Sequence, residues 1–337
     1  KVVVNFTGIC LPMTFFIYSP HPTHAIRELL ALLPAIRWLG DTHIEHKKTP
    51  CEPDPLVVHL FMGDRKKHFP ETVDTTITCE HCNAAVTLAC RASGEILIYR
   101  KEEWGKTLIH ELFHALCLDM VDSGEHGDEH ESEINSELKR IFHLPGKPMF
   151  RETYCELWAT ILYCAVIAHN HVRETDTATV HNFKPVFREC VEIERHHSFI
   201  QMAKILRFWK VDWCDFLKHH MCKNTDVDRV KRNIPKEGTN VFCYFILRCV
   251  LMHDIGGTFR ILKPTIKRSF DPKPFATYIQ KVAYGDEFEN DILSHDRATQ
   301  VILSRIHKSR MDESHKSIVV SHLTGNFRMS ALSGWMI

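Results

Sequence analysis

Apolar and polar positions alternate with a period of two through much of the first hundred residues and with a helical period through most of the rest. Alternation marks residues 2–6 and 14–18 as strands. The unbroken apolar run 56–62, stopped at Gly63-Asp64, reads as a buried strand. Residues 75–78, 84–89 and 95–100 read as further strands, the last two joined through Ala92-Ser93-Gly94 as a hairpin. A helix is predicted from Thr23, with Ile26, Leu29, Leu30, Leu33, Ile36 and Leu39 on its buried side. Pro34 is expected to kink or break it, Gly40 to end it, and the polar stretch 41–55 to be a loop. From residue 152 onward the spacing is helical, over 183–194, 199–209, 213–220, 241–252 and 275–282. Turn signals fall at Asn224-Thr225-Asp226, Pro235-Lys236-Glu237-Gly238, Gly256-Gly257 and Asp271-Pro272. The expected class is α+β: a mixed-sheet N-terminal subdomain over residues 1–121, then a mostly helical subdomain over 122–337.

One helical stretch carries chemistry. Residues 107–116 contain His110-Glu111-Leu112-Phe113-His114, a His-Glu-x-x-His pattern flanked by Leu108, Ile109, Leu112, Phe113, Leu116 and Leu118. Four residues span slightly more than one helical turn, so His110 and His114 stand on one face and can bind a single Zn²⁺. Glu111 lies about 100° round the helix, placed to act as general base on a water. With 24 histidines in 337 residues, a chance match to this pattern has to be weighed. The apolar frame around it and the strand-like 95–100 just before it argue for an active-site helix.

A third ligand follows downstream. Cys117 and Met120 occupy the positions where a longer pattern would place a glycine and a third histidine, so the candidates lie in Arg151-Glu152-Thr153-Tyr154-Cys155-Glu156. Over roughly residues 95–165 the chain resembles a gluzincin, a zincin metallopeptidase whose third zinc ligand is a glutamate on a later helix. Glu152, Cys155 and Glu156 match that pattern. The resemblance implies one catalytic zinc ion held by His110, His114 and Glu152, with Glu156 orienting a ligand histidine. Both acids share a face, so the reverse assignment stays open. It also implies a zincin-like fold and hydrolysis of a peptide or protein substrate by a metal-activated water with Glu111 as base. A further implication is that residues 95–100, with Ile96, Leu97, Ile98 and Tyr99, form a free strand edge for substrate. The residues themselves fit a strand inside the sheet as well. The rival reading is a catalytically inactive zincin-fold protein serving as a structural or interaction component of a larger assembly.

Composition narrows the partners. Lys+Arg and Asp+Glu each total 42, giving zero formal net charge, which argues against generic nucleic-acid or anionic-membrane binding. No apolar run is long enough for a membrane span. Of 13 cysteines, most sit in apolar helical patterns, as expected of small buried thiols in a reducing, intracellular compartment. Cys79-Glu80-His81-Cys82 stands apart as a Cys-x-x-Cys open to a structural metal, a disulfide or free thiols in a hairpin. The run 122–131, with His126 and His130, reads as a solvated acidic loop, with a second metal site or an oxyanion donor as alternatives. Tyr154 is another candidate donor.

Overall fold

The computed structural model describes residues 1–7, 12–45, 56–72, 75–88, 94–119, 127–175, 179–218, 237–266, 271–308 and 323–332, with 312, 316 and 320. It is a mixed α+β structure with a five-stranded sheet at the N-terminus. The strands are β1 (Val2–Phe6), β2 (Met13–Tyr18), β3 (Leu56–Phe61), β4 (Ala85–Leu88) and β5 (Glu95–Ile98), in the order β1-β2-β3-β5-β4. β2, β3 and β5 run parallel, while β1 and β4 are antiparallel to their neighbours. Alternation selects the core face: Met13, Phe15, Ile17, Leu56, Val58, Leu60, Ile96 and Ile98 are buried. One continuous set of buried side chains runs from these strands to Leu332.

Helix α1 (Pro22–Glu45) connects β2 to β3. It passes through both Pro34 and Gly40 and takes in residues 41–45, contrary to the expected break and loop. Pro34 is exposed, so the carbonyl it leaves unbonded faces water, while buried Leu29, Leu32, Ile36, Leu39 and His43 hold the helix to the core. Leu30, expected on the buried side, is 49% exposed. The extension matters: His43 Nδ1 lies 2.9 Å from the carbonyl of Leu116, at the end of the His-Glu-x-x-His helix. Residues 75–78 form no strand; Thr78 makes one isolated bridge with Gly238 and caps a single helical turn, α2 (Cys79–Cys82).

The remaining helices are α3 (Trp104–Ala115), α4 (Gly127–Phe142), α5 (Phe150–Glu174), α6 (Val180–Trp209) and α7 (Trp213–Lys218). A π-helix (Phe242–Leu247) then runs into α8 (Arg248–His253), followed by α9 (Ile255–Ile266), α10 (Pro272–Ala283) and α11 (Asp286–Lys308). Residues 183–194 and 199–209 belong to one helix, α6, rather than two. The latter part of the acidic run 122–131 is helical, as the start of α4; residues 120–126 lie outside the described part. α3 packs between the β4/β5 end of the sheet and α5, so the His-Glu-x-x-His motif sits where sheet and helical layers meet. No single helix among the described residues is long and apolar enough to cross a membrane.

Candidate metal centre

α3 is almost wholly buried along its length, with His110 and Glu111 7% and 8% exposed. The helix ends in a turn that its sequence does not advertise. Cys117 adopts a left-handed conformation, φ 51°, and Leu118 N–H donates to the Phe113 carbonyl at 2.8 Å. That reversal carries Asp119 back beneath the helix, where its Oδ2 stands 2.8 Å from His114 Nδ1.

On the other ring atoms the three expected ligands converge. His110 Nε2 and His114 Nε2 are 3.2 Å apart, and Glu152 Oε2 lies 3.4 Å from the first and 3.6 Å from the second. A tetrahedral ion with bonds of about 2.0–2.1 Å spaces its ligand atoms roughly 3.3 Å apart, so this triangle has the right edges. The three residues form a group that could hold a metal ion. Charge agrees. Burial pushes the Glu152 carboxyl up, but hydrogen bonds from both imidazoles hold it well below the usual carboxylate range. Burial pulls both imidazoles down, yet each ends raised, His110 through Glu152 and Glu156 and His114 through Cys155, Asp119 and Glu152.

Each histidine is buttressed from behind. Glu156 Oε2 sits 3.2 Å from His110 Nδ1, while its other oxygen receives the Lys106 ammonium and Arg248 Nη1, the latter at 3.1 Å. Asp119 does the same for His114. The two glutamates are thereby distinguished: Glu152 meets the Nε2 atoms and Glu156 an Nδ1 atom.

Glu111 is held from the sheet, where Thr87 of β4 donates to its Oε2 at 2.5 Å. The expected substrate edge, Ile96-Leu97-Ile98-Tyr99, needs correction. β5 pairs with β3 on one side and β4 on the other, and Tyr99 N–H donates to the Ala84 carbonyl, so this strand has no free edge. Among the described residues the outermost strand on this side of the sheet is β4, the first arm of the hairpin, with β1 at the opposite end.

Asp119, Lys106, Arg248, Thr87 and Tyr244 carry no signal in the sequence that marks them for this site. The π-helix brings Tyr244 to within 3.0 Å of Glu152 Oε2, to which its hydroxyl donates. Burial and the Glu152 carboxylate raise its pKa well above the ordinary value, keeping it a neutral donor. Tyr154, in contrast, packs edge-on against Phe113 and Trp158 and is 2% exposed. His126 lies outside the described residues, as does the side chain of His130.

Cys79 and Cys82 are free thiols flanking one helical turn, and neither joins a metal-capable group among the described residues. Cys82 is buried, its Sγ 3.4 Å from Asn83 Oδ1, and burial pushes its thiol up to about 12. Cys51 and Cys90, the cysteines flanking this motif in the sequence, lie outside the described residues. No protein-family model matches the chain, and no curated protein or solved structure matches it.

Proposed function

We propose that the chain is a zinc-dependent peptidase. The observation that carries this reading is the convergence of His110 Nε2, His114 Nε2 and Glu152 Oε2 within 3.6 Å, each imidazole backed at Nδ1 by a carboxylate. Four further features of the site favour hydrolysis over a purely structural ion: a carboxylate outside the triad, a neutral hydroxyl beside it, an outer strand next to both, and only three converging protein ligands among the described residues. When bound, zinc supplies an activated water and a Lewis acid for the scissile carbonyl.

The chain's own residues supply the rest. Glu111, fixed by Thr87, takes the proton of the attacking water and delivers it to the leaving amine. Tyr244 donates its hydroxyl proton to Glu152 and holds that ligand in place. A substrate strand pairs with β4. Ala84 pairs with Tyr99 through its carbonyl, so alternation turns the backbone groups of Ala85 and Thr87 outward to receive that strand. The test is cleavage of a peptide library by zinc-loaded protein beside Glu111→Gln. The reading requires zinc in both and cleavage only in the wild type; cleavage by both, or by neither, contradicts it.

A further inference from the structure

Between β4 and the Glu111 face of α3 lies a cavity of about 30 Å³. Ala84 and Ala85 line it from the sheet and Thr107 from α3; Glu156, Tyr244, Lys67 and Met329 also line it. Its helix face carries His110 and Glu111 themselves, so it adjoins the reacting centre. Room for a single water is about 10–15 Å³, whereas a cavity that takes benzene is about 150 Å³. The space therefore suits a methyl or hydroxymethyl group and no branched or aromatic side chain.

Met329 and Lys67 are held in place. Glu103 accepts from the Met329 N–H at 3.0 Å, and Arg248 donates to the Met329 carbonyl at 2.6 Å, both within the buried interior. Lys67 gives its ammonium to Glu103 at 2.7 Å, so the cation lining the cavity is already paired and offers no counter-charge for an acidic substrate group. A substrate strand paired with β4 would alternate its side chains between the two faces of the sheet, and those on the α3 face would share the side on which Thr87 meets Glu111.

We propose that the substrate residue entering this cavity is glycine, alanine or serine, and that Met329 sets the size limit. This rests on the peptidase reading for its biological meaning, but the cavity can be probed without catalysis. Two peptide hydroxamates, identical except for a methyl or an isobutyl side chain next to the zinc-binding group, would be titrated calorimetrically into zinc-loaded protein. Peptides carrying alanine or leucine at the matching position would be assayed in parallel.

The wild type should bind the methyl compound at least tenfold more tightly. Met329→Ala, whose main-chain bonds are retained, should shrink that ratio at least fivefold. Equal or tighter isobutyl binding in the wild type overturns the proposal, as does failure of both hydroxamates to bind. The wild-type ratio decides even where the variant misfolds. Size-selective hydroxamate binding without peptide cleavage would overturn the peptidase reading and leave the cavity assignment standing. Cleavage favouring leucine would do the reverse.

Discussion

His110 Nδ1 stands 3.2 Å from Glu156 Oε2, at the end of a buried chain of charge that continues to Lys106 and Arg248. The orientation of one metal-facing ring is thus tied to an ion cluster with no access to water. That coupling predicts a contrast between two glutamates one helical turn apart. Glu152→Gln should abolish zinc binding and lower the metal-free melting temperature, since both imidazoles lose their shared carboxylate. Glu156→Gln should keep zinc with affinity lowered about 10–100-fold. It should also lose roughly 3 kcal/mol of stability, since two buried cations lose their counter-charge. Zinc titration and thermal melting of the two variants check this; identical behaviour would contradict the assigned roles.

The turn at Cys117 gives a second contrast. Asp119→Asn should weaken zinc about 10–100-fold by releasing the His114 ring. Cys117→Gly relieves a left-handed conformation that costs a side chain about 1–2 kcal/mol. It should leave zinc affinity unchanged and raise the denaturation midpoint slightly. A fall in both quantities would show that the thiol, not the turn, matters there.

If substrate pairs with β4, blocking an outward-facing amide should impair binding alone. Ala85→Pro removes an N–H on this outermost strand, a position where proline is tolerated. The expected result is a rise in KM of at least tenfold with zinc content unaltered. An unchanged KM would remove β4 from the substrate path.

Acid should destabilise the fold through Glu103. Burial raises this carboxyl, but Lys67, Lys106 and Arg328 pull it down to about 2. The unfolded chain then binds more protons than the native one between about pH 4.5 and 2, so stability present above pH 4.5 is lost as pH falls through that window. The shift corresponds to something on the order of 3 kcal/mol. Glu103→Gln should flatten the acid limb of a pH-stability curve; an unaltered limb would place the acid sensitivity elsewhere.

How much of this was legible follows from the range of each interaction. His110, Glu111 and His114 declare themselves because one helical turn fixes their relation. Glu152 and Glu156 could be found for the same reason. Their separate contacts could not, since spacing says that they share a face and not which ring atom each meets. Asp119 depends on a left-handed residue that is not glycine, and Tyr244 on a π-helix 92 residues beyond Glu152 in the chain; neither leaves a local signature. The mixed α+β organisation was readable from the change of period. Strand order was not, because a hairpin leaves no local sign of which arm lies outermost. α1 outran its break signals, Pro34 and Gly40, because a buried stripe reaching His43 outweighs one lost hydrogen bond on the exposed side.

The central claim is that His110, His114 and Glu152 hold one zinc ion. Elemental analysis of the purified wild type beside His114→Ala tests it most directly. The account predicts about one zinc per chain in the wild type and none in the variant, with the variant still folded by circular dichroism. A wild type that stays zinc-free after reconstitution, or a variant that retains its zinc in full, would contradict it.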